Sequence, residues 1–363
     1  VVIGPNFNSP ALPIEFGRID YEIGTNDYTP VRPQDKEALL NNAKNSTERE
    51  NIYNSFELKN VLEYWVKKYH EIPTDTIWMK IDKAAVLRSG MLIPKEYLGE
   101  TLQETMEKMP DKMIISLKGK QGLIKSELMM LELLEYSNWE RPLYMSTTVG
   151  YSSYLGLSPY FVLEGMAYRI TPFNFQELGY VSNPRYEFVI DTEKMYKNLM
   201  NFKFGGLDNP DLYLDETVRR MCYSTRRLYA QLALDLLNKG DRQKAYEVLQ
   251  RINEGISPKL LPHDYICYST EMARCYLAMG YKTEAQEILE PMTKEYLQLL
   301  QWTLSLDRKH FLLQAEDTND ACKILYSAIL PLMQELDYAD ENTLDNILEL
   351  FNGMYQEFRN RLD

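Results

Sequence analysis

Residues 232–252, LALDLLNKGDRQKAYEVLQRI, and residues 271–292, EMARCYLAMGYKTEAQEILEPM, carry one small-residue spacing twice, forty positions apart. Ala233, Gly240, Ala245 and Leu249 recur as Ala273, Gly280, Ala285 and Leu289. Each copy reads as two amphipathic helices joined by a short turn. Alanine falls where two helices must approach closely, and glycine falls where the turn needs left-handed backbone. Stacked hairpins of this kind hold partners in grooves and seldom catalyse, so the pattern points to a binding or scaffolding module.

Working outward, apolar-periodic runs at 217–237, 241–252, 263–279, 283–306, 318–336 and 343–362 predict about six helices, enough for two hairpins and a closing pair. The spacing resembles a tetratricopeptide-like repeat. Upstream, TIWMKID (76–82), MIISLKG (113–119) and PLYMSTTVG (142–150) read as strands, and 123–136 as a helix apolar almost all round. Strand, turn, buried helix and strand in that order predict a βαβ layout with parallel pairing. Arg185 to Ile190 is a further strand candidate, Asp191 caps a helix to about Asn201, and Ser55 caps another running to His70.

The expected fold is therefore an α+β or α/β domain followed by an all-α, tetratricopeptide-like domain. The domains are an extended and helical lead-in at 1–75, an α/β domain at 76–207 and a helical domain at 208–363. The glycine, proline and aspartate of KFGGLDNPDLYLDE set the boundary between Phe204 and Asp215. Residues 1–34, with five prolines and three glycines, read as extended backbone with an edge strand or two.

The chain has 363 residues, more than one core usually serves. A net charge of −13 without a dense basic run argues against a nucleic-acid partner. No stretch reaches the roughly 18 apolar residues of a membrane span. The chain begins Val-Val-Ile-Gly-Pro without an initiator methionine, which fits a product cut from something longer. Cys222, Cys267, Cys275 and Cys322 form no CxxC pair and read as buried packing residues; Cys267 and Cys275, eight apart on one expected helix, cannot bridge each other. His70, His263 and His310 lie in separate segments without a metal-ligand spacing, so neither a metal nor a cofactor is expected.

No general acid, base or nucleophile can be nominated, and the expected set of catalytic residues is empty. The loop Lys118-Gly119-Lys120-Gln121-Gly122 between strand and helix is the nearest approach to an anion cradle, with Gly119, Lys120 and Gly122 as its candidates. It lacks the Walker spacing and also reads as a plain βα turn. From Tyr144 to Tyr180, nine aromatics fall within 37 residues. They suit a sugar or peptide platform, or the packing of a domain junction. The ligand candidates are Tyr151, Tyr154, Tyr160 and Tyr168, joined by Tyr229 and Tyr276 on the expected concave side of the repeats. Asp75-Thr76-Ile77 matches a bacterial O-glycan acceptor triplet at Thr76, and Asn45-Ser46-Thr47 the N-glycan rule.

Four longer stretches carry a family resemblance: AAVLRSGMLIP (84–94), MIISLKGKQGLIKSELMMLELLEYSNWERPLYMSTTVG (113–150), YLGLSPYFVLEGMAYRITP (154–172) and NLMNFKFGGLDNPDLYLDETVRRM (198–221). They resemble the C-terminal region of a family of large bacterial multi-pass membrane proteins of unknown function, which is similar to protein O-mannosyltransferases of the GT-C type. The resemblance implies upstream membrane helices, an acidic catalytic residue in an early extracytoplasmic loop, and a periplasmic setting for this region, tethered by its own transmembrane part. None of those catalytic positions has a counterpart in this sequence.

Three functions follow as expectations. The first is a non-catalytic periplasmic domain of a membrane glycosyltransferase-like protein that binds an acceptor protein or glycan through the repeat groove and aromatic surface. The second is a structural or dimerisation module without substrate contact. The third is an independent enzyme using the 119–122 loop on a phosphorylated or nucleotide-sugar ligand.

Overall fold

The computed structural model describes residues 2–3, 28–54, 56–180, 188–338 and 342–362. The chain divides into two compact units, Val1–Asp191 and Thr192–Asp363.

The first unit is a mixed α+β arrangement built on three small sheets. Its elements in order are β1 (Val2–Ile3), β2 (Tyr28–Pro30), α1 (Lys36–Asn41), α2 (Ser46–Tyr53), α3 (Leu58–Asn60), a π-helical turn at Val61–Val66 and α4 (Lys67–Tyr69). There follow β3 (Thr76–Lys80), α5 (Lys83–Arg88), α6 (Leu102–Lys108), β4 (Lys112–Ser116), β5 (Gly122–Ile124), α7 (Lys125–Ser137), β6 (Tyr144–Ser146), β7 (Phe161–Leu163), β8 (Ala167–Ile170) and β9 (Val189–Ile190). The largest sheet has the order β1-β6-β8-β7-β9; β2 pairs with β5, and β3 with β4.

The expected parallel βαβ unit does not form. β4 pairs antiparallel with β3, whereas β6 lies in another sheet between β1 and an antiparallel β8. The reason is visible in β4, whose residues alternate exposed and buried with Met113 and Ile115 inward. That period suits a sheet covered on one face, while a parallel strand between helices is apolar throughout. The helix after it is as expected: Leu128, Met130, Leu131, Leu133 and Leu134 of α7 are all buried.

The lead-in is not separate from this unit. β2 pairs with β5 in the register Thr29 to Leu123, and Glu57 bridges to Trp78. Ser55 and residues 185–187, expected as a cap and as strand, lie outside the described residues. The helix beginning at Leu58 has Glu57 at its N-cap position.

The second unit is helical. It comprises α8 (Thr192–Met200), α9 (Glu216–Asn238), α10 (Arg242–Gly255), α11 (Ser269–Met279), α12 (Lys282–Ser305), α13 (Arg308–Ile324), a π-helical turn at Leu325–Ile329, α14 (Leu330–Met333) and α15 (Thr343–Leu362). α9 and α10 form one hairpin and α11 and α12 the next, with α11 packed on α9. Ala233, Ala245, Ala273 and Ala285 are fully buried, as are Leu249 and Leu289. Gly240 and Gly280 have φ of 85° and 90°, and nothing lies within 4 Å of where a Cβ would stand. Those glycines serve conformation, not space. Gly255 is the opposite case, since an added Cβ would sit 2.3 Å from the Phe204 ring.

This unit starts earlier than the composition shift at 204–215. α8 belongs to it because Tyr229 Oη donates to Leu199 O at 2.5 Å and Tyr196 Oη to Glu247 at 2.5 Å. The single helix expected at 263–279 is also divided. Tyr268 takes φ 63° between a short turn at Tyr265–Cys267 and α11, which places Cys267 and Cys275 in separate elements. All four cysteines are free and buried.

Candidate functional site

The structure gathers most of the first unit's candidates at one place. Tyr151 opens a short 3-10 turn, Tyr151–Ser153, and its ring meets that of Tyr154 edge-on at 5.6 Å. Tyr154 in turn meets Phe161 at 5.1 Å; Phe161 stacks on Tyr168 at 5.3 Å, and Tyr168 meets Phe188 at 4.7 Å. β7 and β8 create the central contact: Leu163 pairs with Tyr168, so Phe161 and Tyr168 are diagonal neighbours on one face. The ladder runs from buried rings to an exposed tip. Tyr168 and Phe161 are buried, Tyr154 is half-buried and Tyr151 is 67% exposed.

The backbone behind Tyr154 is strained. Leu155, a buried leucine, takes φ 51°, and Gly156 follows at φ 69° with a hypothetical Cβ only 2.6 Å from Ser116 O. A non-glycine residue in that region costs about 1–3 kcal/mol and persists only where the surroundings hold it. The strand and turn that supply Ser116 therefore fix the direction in which Tyr151 and Tyr154 emerge.

The 119–122 loop adjoins this surface without forming an anion cradle. Lys120 Nζ donates to Ser152 O at 3.0 Å and forms an ion pair with the buried Glu127 carboxylate. Glu127 also accepts from Ile124 N at 3.0 Å, filling the helix terminus that a bound phosphate would need. Gly119 has φ 83° and open space around it, which is the plain turn role, and Gly122 is paired to Pro30 across β2 and β5. A carboxylate of the chain itself thus takes the place expected for an anion.

The other candidates stand elsewhere. Tyr160 is buried, and its hydroxyl donates to Ile114 O at 2.7 Å while receiving Ile114 N at 3.3 Å, which ties down the β4 edge. Tyr229 and Tyr276 are fully buried in the helical unit, where they fill contacts between helices and do not line a concave face. Tyr276 Oη accepts from Asn253 at 3.2 Å. Burial pushes the Tyr229 hydroxyl up to about 12. Thr76 is half-buried at the start of β3, and its hydroxyl donates to Asp75 at 3.0 Å.

Two buried charged centres lie outside the candidates read from the sequence. In the first unit, Tyr144 Oη donates to Glu164 at 2.8 Å, Glu164 faces Arg169 at 3.6 Å, and Arg169 donates to Ser89 O at 2.8 Å. Burial, then the Glu164 contact, pushes Tyr144 up to about 12. This cluster clamps β6, β8 and the end of α5. In the second unit, Arg226 has no exposed surface, although it occupies the stripe Cys222, Arg226, Tyr229, Ala233, Leu236 of α9. A charge on an apolar stripe is the sequence signal that marks it. Among the described residues no group of three or more His, Cys, Asp or Glu is placed to hold a metal.

Fold and site together define a two-part protein in which an α+β unit presents a backed aromatic surface and a helical unit stacks hairpins. The chain belongs to the TMEM260-associated domain 2 family, whose profile matches residues 4–190. That match covers the α+β unit and links the chain to a membrane-protein family. No curated protein and no solved structure matches it. Among the described residues, no helix is long and apolar enough to cross a membrane.

Proposed function

We propose that the chain is a non-catalytic, acceptor-binding part of a membrane glycosyltransferase-like protein and that it faces the periplasm. The observation carrying this reading is the exposed Tyr151 ring, backed by Tyr154 and the ladder behind it. A flat apolar face with a polar edge suits stacking on a sugar ring or an extended peptide, and its support reduces the entropy lost on binding. The helical hairpins, read as tetratricopeptide-like, are the other candidate surface for an acceptor protein or glycan. The long collinear words shared with the mannosyltransferase-like membrane proteins support the setting, as does the family link to a membrane protein.

The test uses the whole chain immobilised against a glycan array and against a library of Ser/Thr-containing peptides. Binding that Tyr151→Ala weakens, with the melting temperature unchanged, supports the reading. Binding indifferent to Tyr151 removes it.

A second reading, a dimerising brace, draws on the neighbouring exposed side chains Leu312 and Leu313 of α13. A dimer by sedimentation that Leu313→Glu dissociates would favour it.

A further inference from the structure

The helical unit contains a slot that the aromatic surface of the other unit does not involve. It lies between α12 and α15 as a half-open groove of about 460 Å³, and has Thr293, Leu297, Met333, Ile347, Leu350 and Met354 among its lining. The lining runs along one face of each helix, from Glu290 to Gln301 on α12 and from Thr343 to Met354 on α15. At 1.5 Å per residue both rows are about 16 Å long. α15 is anchored by buried Phe351 within the lined stretch and by buried Phe358 beyond it, the latter 5.4 Å from Phe311 of α13. Thr293 adds little polarity, since its hydroxyl donates to Leu289 O at 2.8 Å within its own helix.

We propose that this slot binds a fatty acid, with the acyl chain lying between α12 and α15 and the carboxylate at the rim against Lys294. Volume separates a thread from a helix. A slot of 460 Å³ spread over about 16 Å has a cross-section of about 30 Å². A helix with its side chains is about 10–12 Å across and needs roughly three times that area. A single hydrocarbon chain is the occupant of matching shape, and Met333 and Met354 give the walls the adaptability such a chain needs.

The rim selects the head. Glu290 already accepts from Gln286 at 2.6 Å, whereas Lys294 is exposed and has no ion pair among the described residues. Gln298 and Gln301 add donors on the same side. Lys294 is the cation on that rim, one helical turn from Glu290, and is the group a carboxylate would meet.

The experiment is calorimetric titration of the full chain with octanoate, decanoate and laurate, all kept monomeric, and with dodecanol. The expected result is one site per chain, tightening about fourfold per methylene. Ile347→Trp, which fills the slot, weakens laurate at least tenfold with an unchanged melting temperature. Lys294→Gln weakens laurate severalfold and leaves dodecanol unaffected. Should Ile347→Trp fold poorly, Leu350→Trp at a 53% exposed position serves the same purpose. Absence of saturable binding, affinity independent of chain length, or laurate binding untouched by the tryptophan variants would overturn the proposal, as would dodecanol binding as tightly as laurate with Lys294→Gln inert.

Discussion

Replacing Arg226 by methionine removes the clasp that holds the connection between the two hairpins. The guanidinium donates to Pro262 O at 3.0 Å, Leu261 O at 2.9 Å and Ile256 O at 3.4 Å, and Nη1 lies 3.8 Å from Cys267 Sγ. Its partners are carbonyls and a sulfur, and its Nε–H has no partner among the described residues. Three carbonyls deprived of donors cost about 1–3 kcal/mol each, and relief of the orphaned N–H returns about as much as one of them. The net destabilisation is about 2–6 kcal/mol, since methionine fills most of the vacated volume. In a helical unit of this size that lowers the melting temperature by about 4–24 °C. Urea titration followed through Trp302, the tryptophan of this unit, measures it directly. A variant as stable as the parent would refute the reasoning, because it would mean that desolvating the guanidinium costs as much as the clasp contributes.

Further outcomes follow from single residues. Burial, then the nearby Arg226 charge, pushes His263 from its ordinary 6.5 down to about 3, so the folded protein holds it neutral beside Ser269. The unfolded chain takes up that proton below pH 6.5, so the contribution to stability is complete above 6.5 and lost as pH falls toward 3. Between pH 7 and 5 the loss is about 2 kcal/mol, and His263→Gln lacks this component when urea midpoints are compared. Gly280→Ala costs about 1–2 kcal/mol through its φ of 90° alone, whereas Gly255→Ala costs more because it strikes the Phe204 ring; equal midpoints for the two would contradict this assignment. Lys120→Ala leaves the buried Glu127 carboxylate without its cation and releases Ser152, a loss of about 1–2 kcal/mol discounted for the partly exposed lysine. Phosphate titration gives the same background for this variant and the parent, and a specific loss would restore the anion-site reading.

The hairpins were legible because their signal is local. Ala233 and Ala273 sit where the spacing predicts close helix approach, and Gly240 and Gly280 where it predicts left-handed turns. The sheets were not legible to the same depth. Strand positions can be read from Ile77, Met79, Met113 and Ile115, but which strands pair depends on contacts distant in sequence, so β4 joined β3 and not β6. Tyrosine frequency located the aromatic region without separating its roles. Tyr151 and Tyr160 differ by nine positions, yet one is exposed at a turn and the other bonds the Ile114 backbone. Arg169 was not legible because β8 is buried along most of its length, which erases the alternation that would flag an inward charge, and Glu164 stands just beyond the fully buried β7. The Lys120 loop misled because an intrahelical carboxylate three residues into α7 mimics the ligand such a loop would bind.

The proposed function rests most heavily on Tyr151, a supported, exposed ring that would take an acceptor. The decisive measurement is the affinity of the parent chain, Tyr151→Phe and Tyr151→Ala for the strongest ligand found on the glycan and peptide arrays, with melting temperatures recorded alongside. A loss of about tenfold or more in Tyr151→Ala, a smaller one in Tyr151→Phe and superimposable melts are predicted. Equal affinities across all three proteins would contradict it.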